Sequence, residues 1–135
     1  MYRTSTYARF INYNLNLKIG PAARANFSAD VLAEYTRCFN QWGTVHGICE
    51  DYRASATIDM VLDEPDRATK IKTPILLLWG KNGVVGKLWD VIAKWEPLAE
   101  NLEGYAIDQC GHFVPEEQPQ AVLERLLPFL AKHAD

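Results

Sequence analysis

Hydrophobic positions follow two different periods along the chain. Residues Met1 to Asn26 show no clean period and contain Gly20-Pro21, so this stretch reads as an irregular or weakly helical lead-in. From Ala29 to Phe39 the apolar residues Leu32, Tyr35 and Phe39 fall at i, i+3 and i+7, the spacing of one helix face, with Ser28 placed to cap it. Gln41 to Gly43 interrupt the pattern. Thr44 is placed to cap a second helix running to about Thr57, with Val45, Ile48, Cys49, Tyr52 and Ala56 on its inner face. From Leu62 to Thr73 the chain becomes charged and carries Pro65, which reads as a connecting segment.

The second half changes period. Pro74 to Trp79 is a short, continuous apolar run stopped by Gly80, which suits a parallel strand covered on both faces. A helix from about Lys87 to Leu102 follows, with Leu88, Val91, Ile92 and Trp95 on one side and Pro97 placed to kink or divide it. A second strand is predicted over about Gly104 to Asp108. Pro119 then suits the first position of a last helix, with Val122, Leu123, Leu126, Phe129 and Leu130 as its apolar stripe and Pro128 bending its end. The fold class is therefore α/β, with an unassigned lead-in over 1–26, a helical segment over 27–68, and a βαβα unit with two parallel strands over 69–135. Two parallel strands alone leave both sheet edges and much of both faces open. The pair is thus expected to be the end of a larger sheet whose earlier strands are missing, in preference to their being supplied by another chain or substituted by residues 1–26.

Composition narrows the partners. Among 135 residues, 48% hydrophobic content is ample for a core, and 14 basic against 17 acidic residues leave a net charge of -3 without blocks of like sign. Nucleic acid and anionic membrane surfaces are excluded as partners on that balance. No apolar run approaches the ~20 residues needed to span a bilayer, and the first twenty residues lack a signal peptide's apolar stretch. Cys38, Cys49 and Cys110 are odd in number, with no C-x-x-C pair, which fits reduced thiols in cytoplasm and no metal or cofactor.

His112 is the candidate catalytic residue. It follows Gly111 just beyond the second strand and precedes a helix, at the carboxyl rim of the sheet where ligands gather in such folds. The run Asp108-Gln-Cys-Gly-His112-Phe-Val-Pro115-Glu116-Glu117-Gln-Pro119 resembles the histidine loop of α/β-hydrolases, and Leu76-Leu-Leu-Trp79-Gly80 resembles the end of the preceding strand of that fold at the matching separation. The chain therefore looks like the C-terminal part of an α/β-hydrolase. Many members carry an aspartate at the position held here by Gly83; haloacetate dehalogenases resemble this chain in having a small residue there. Their helical cap domain is similar to Ala33-Glu-Tyr35-x-Arg37-Cys-Phe39 and to His46-Gly-x-Cys49-Glu50-Asp51-Tyr52-Arg53-Ala54.

That resemblance implies a reaction. An aspartate nucleophile displaces halide from a haloacetate, and a histidine-activated water hydrolyses the resulting ester, with His112 as base. Tyr52 would donate its hydroxyl to the departing halide, which gains acceptor strength as charge develops. No G-x-D-x-G or G-x-S-x-G elbow occurs in the sequence, nor do the substrate-binding arginines or the His-Trp pair of the family, so only Tyr52 and His112 carry over. A truncated or split haloacetate dehalogenase, inactive alone, is the first expectation. An epoxide hydrolase, in which Tyr52 would protonate the opening oxygen, is the second. A non-catalytic remnant or interaction module, self-associating or recruiting an N-terminal half through its open sheet edge, is the third. Trp79, Trp89 and Trp95 are expected to pack, Glu50, Asp51 and Arg53 to form a solvated helix face, and Cys110 to be a small packed residue.

Overall fold

The computed structural model describes residues 13, 18 and 26–134. Most of the lead-in over 1–26 therefore lies outside the described residues. The chain divides into two compact units, one containing Ser28–Thr69 and the other Lys70 onward together with Lys18, Asn26 and Phe27.

The first unit is helical. Helix α1 spans Ala29–Phe39 and starts as expected, with the Ser28 hydroxyl accepting the Val31 N–H at 3.3 Å. Asp30 in the first turn and Arg37 in the last complement the helix dipole. Leu32, Tyr35 and Phe39 form a half-buried stripe. Helix α2 spans Thr44–Ser55, and its cap differs from the expected one. Gly43, at φ 85°, occupies the cap position, a left-handed conformation that glycine adopts without a Cβ penalty. Thr44 is already helical, and its hydroxyl donates instead to Cys38 O at 3.1 Å, tying the start of α2 to the end of α1. The stripe expected to face inward on α2 is open: Val45 and Ile48 are about 40% exposed and Tyr52 is 71% exposed. Helix α3 (Ile58–Asp63) and a 3-10 turn (Glu64–Asp66) carry helical structure into the predicted connecting segment. Pro65 does not prevent this, because a proline in a first turn has no helical N–H to lose.

The second unit holds the sheet. Strand β1 (Ile75–Gly80) and strand β2 (Leu102–Ile107) pair in parallel, in register from Ile75 opposite Leu102 to Gly80 opposite Ile107. A bridge between Ile71 and Ala99 precedes them. The sheet has two strands among the described residues. Ile75 to Trp79 are each half-buried, so this apolar run lacks the cover on both faces that its composition fits. Two short helices, α4 (Val84–Leu88) and α5 (Val91–Trp95), replace the single long one predicted. The break falls at Trp89 and Asp90, where the Asp90 carboxylate caps α5 by accepting the Ala93 N–H at 3.1 Å. Pro97 lies beyond α5, and Leu102 belongs to β2.

Past β2 a short helix α6 (Val114–Glu117), not anticipated, precedes α7 (Pro119–His133). The core joins the strand end to these helices: Ile107, Cys110 and Val114 are buried against Leu78, Ala121 and Val122. Helix α7 is further held to β2 by the Arg125 guanidinium, 4.3 Å above the Tyr105 ring, and by Lys132 on Glu103 at 2.5 Å, which holds that carboxyl below its ordinary range. Of the α7 stripe, Val122, Leu126 and Phe129 are half-buried, while Leu123 and Leu130 are exposed. No helix among the described residues is long and apolar enough to cross a membrane.

Candidate active site

The carboxyl ends of β1 and β2 feed two loops that are bonded to each other. The Lys81 N–H donates to Ile107 O at 3.0 Å and the Asn82 N–H to Cys110 O at 2.9 Å. The two backbones approach so closely that a Cβ on Gly80 would lie 1.8 Å from Gly111 O, and one on Gly83 2.8 Å from the same atom. Both positions are glycine because of that approach. Gly83, where many α/β-hydrolases carry the acid, here backs directly onto the histidine loop. At the rim the exposed pair Lys81–Asp108, at 2.8 Å, raises the lysine's pKa through its hydrogen bond.

His112 stands at the crest of the second loop. It is exposed and lines a cleft of about 250 Å³ with Leu78, Trp79, Val84, Val85 and Trp95, so His112 sits among mainly apolar residues. Its N–H donates to Lys18 O at 3.0 Å. Its ring meets the Phe113 ring edge-on, centroids 5.0 Å apart, and Phe113 in turn meets Phe27 at 5.8 Å.

Beneath the loop lies Glu117, 1% exposed. Its Oε2 accepts the Gly111 N–H at 2.6 Å and its Oε1 the Phe113 N–H at 2.9 Å. A buried carboxylate is tolerable where such donors replace water. Asn26 braces the same turn, its amide donating to Glu117 O at 2.9 Å and Glu116 O at 3.2 Å. Cys110 is fully buried, and burial, with the Glu117 charge second, pushes its thiol up to about 11. It is therefore protonated at neutral pH and a packed residue rather than a nucleophile. Among the described residues no three His, Cys, Asp or Glu side chains converge as a metal site.

Tyr52 lies in the other unit, on α2, with its side chain largely in solvent. Around it Glu50 pairs with Arg53, with His46 at 3.8 Å from the same carboxylate, the solvated face expected. Trp79 and Trp95 are half-buried and Trp89 is 50% exposed. Glu117 and Asn26 were not legible as site residues. The sequence shows two adjacent glutamates between two prolines, and nothing local says that the second turns inward. Asn26 sits 91 residues before Glu117 in a segment without periodicity.

No protein-family model matches the chain. It is 36% identical over 105 residues to a soluble epoxide hydrolase of Corynebacterium sp. (strain C12), covering 78% of this chain and 35% of that protein. It is 30% identical over 112 residues to a fluoroacetate dehalogenase of Burkholderia sp, covering 83% and 36%. A solved structure from Nostoc sp PCC 7120, assigned to the alpha/beta hydrolases, superposes with a TM-score of 0.86 at 39% identity over 93% of this chain and 42% of that one. The chain belongs to the α/β-hydrolase superfamily. It spans about a third of the length of the two curated relatives. The two-stranded β1–β2 pair of the described residues thus matches part of that neighbour's fold, of which this chain covers 42%.

Proposed function

We propose that this chain supplies the general base and part of the cap of an α/β-hydrolase that works through a covalent ester, and that its substrate is a haloacetate. The observation that carries this is His112, exposed on the loop after β2 and lining a mainly apolar cleft. In the reaction a carboxylate nucleophile displaces halide from carbon and forms an ester. A water then attacks the ester carbonyl, His112 takes the proton from that water, and the alkoxide leaves to give the hydroxyacid and the free carboxylate. Tyr52 donates its hydroxyl to the departing halide. The nucleophile comes from outside the 135 residues, which hold no elbow motif. An edge of the β1–β2 pair that the described residues leave unpaired is where the sheet that carries it pairs.

The reading rests on Gly83, on the cap motif around Tyr52 and on the Burkholderia relative. A second reading, epoxide hydrolysis with Tyr52 protonating the opening oxygen, is favoured by the identity to the Corynebacterium enzyme. The two share the His112 step and differ in the electrophile. Substituting this chain for the matching third of the Burkholderia dehalogenase, then assaying fluoride release from fluoroacetate and diol formation from an epoxide, separates them. Sustained fluoride release that His112→Ala cuts to a single turnover is the expected result; diol alone establishes the second reading, and a folded chimera without either activity refutes both. The isolated chain should release no fluoride.

A further inference from the structure

We infer that Glu117 is a positioning residue for the His112 imidazole, acting through the backbone on either side of it. The inference rests on the reading of His112 as the base. Three consecutive amide planes cross the crest of the loop, and each is fixed by a hydrogen bond: the Gly111 N–H on Glu117 Oε2 at 2.6 Å, the His112 N–H on Lys18 O at 3.0 Å, and the Phe113 N–H on Glu117 Oε1 at 2.9 Å. The planes before and after the His112 Cα set its φ and ψ, and with them the direction in which its Cβ leaves the chain. One carboxylate holds two of the three planes. The edge-on Phe113 ring then limits how the imidazole turns.

The choice of a carboxylate is informative. Packing alone needs no charge at a position 1% exposed, and a buried acid is costly unless donors are aimed at both oxygens. Charge-assisted bonds are shorter and stiffer than neutral ones, which suits a group that must hold an exposed loop still. The carboxylate is itself anchored, because the Asn26 amide holds the Glu116 and Glu117 carbonyls at the end of α6. Glu117 is therefore placed to keep an exposed imidazole in one orientation, and a general base needs its geometry set before its pKa matters.

The test is Glu117→Gln, which keeps the shape but turns an NH2 toward one of the two N–H groups. In the full chain, NMR of the His112 ring should show a single χ1 rotamer with a ring-current shift from Phe113. In E117Q that shift should collapse, and His112 should change several-fold in its rate of modification by diethylpyrocarbonate relative to His46 and His133, while far-UV circular dichroism is unchanged. A folded E117Q with the same His112 shifts and a relative rate within about twofold of the original overturns the inference, since tenfold would correspond to ~1.4 kcal/mol and twofold to far less. Should E117Q lose its helical signal, the original chain decides. Through-hydrogen-bond couplings from the Gly111 and Phe113 amides to Glu117 Cδ, with one His112 rotamer, support the clamp, and absence of either coupling overturns it. None of these readouts involves turnover, so a His112 that is well held but is not the base fails only the chimera assay.

Discussion

Gly80→Ala isolates the close approach on which the site is built. Gly80 is the last residue of β1, and no left-handed φ stands in the way of alanine there. What stands in the way is contact: the new methyl carbon would lie 1.8 Å from Gly111 O, 2.6 Å from Cys110 O and 2.7 Å from Gly111 C. All three are backbone atoms, and Cys110 O is already committed to the Asn82 N–H. Restoring ordinary contact requires the histidine loop to retreat by roughly 1.5 Å, and overpacking of this kind costs about 1–3 kcal/mol or more. The smaller freedom of alanine in the unfolded chain returns at most ~1 kcal/mol. A net loss of about 2 kcal/mol is expected, or a fall in Tm on the order of 8 °C. Gly47→Ala is the control: it lies within α2 with no atom within 4 Å of its would-be Cβ, so it should gain about 0.5–1 kcal/mol. Urea unfolding followed by circular dichroism reads both. A Gly80→Ala chain destabilised by less than ~0.5 kcal/mol would refute the contact as the reason for glycine.

Two other outcomes follow from the same structure. Ser28→Ala removes the acceptor of the Val31 N–H and should cost about 1 kcal/mol, read as loss of urea resistance in the helical signal, whereas Ser28→Asp should restore most of it. Cys110 titrates near 11 in the fold against 9.0 ordinarily, so the unfolded chain loses its thiol proton first. The stability this group contributes is complete below pH 9 and is lost as pH rises toward 11, by about 1 kcal/mol between pH 9 and 10. Cys110→Ala should lack that decline, and in the original chain an alkylating reagent at neutral pH should find Cys38 and Cys49 but not Cys110.

Local chemistry made much of the fold legible. Ser28 and the i, i+3, i+7 apolar spacing define α1 from Ala29 to Phe39, and the run Ile75 to Gly80 defines β1. The misreadings share a cause, which is that tertiary context chose between two locally acceptable states. Thr44 yields the cap to Gly43, its hydroxyl bonded to Cys38 O, and Asp90 rather than Pro97 divides the predicted long helix. The pattern of α2 predicts a buried face, yet a pattern states what a face is suited to meet, and Val45, Ile48 and Tyr52 are exposed. At the site, His112 was visible because a Gly-His pair after a strand has a position-specific meaning. Glu117 was not, because burial distinguishes it from Glu116 and no local pattern encodes burial of one glutamate in a pair. Gly80 and Gly83 were noted for their places in a motif; the contact with Gly111 supplies the physical reason for both.

The central claim, that His112 is the base that hydrolyses a covalent ester, is tested most directly in the chimera by His112→Gln. Loss of a general base costs about 10²–10⁴-fold in the step it serves and leaves the preceding displacement intact. Mixed with excess fluoroacetate, the His112→Gln chimera should release one fluoride per protein and stop, with intact-protein mass spectrometry showing the ester retained. Continued turnover at the rate of the unaltered chimera, with no ester on the protein, would contradict the account.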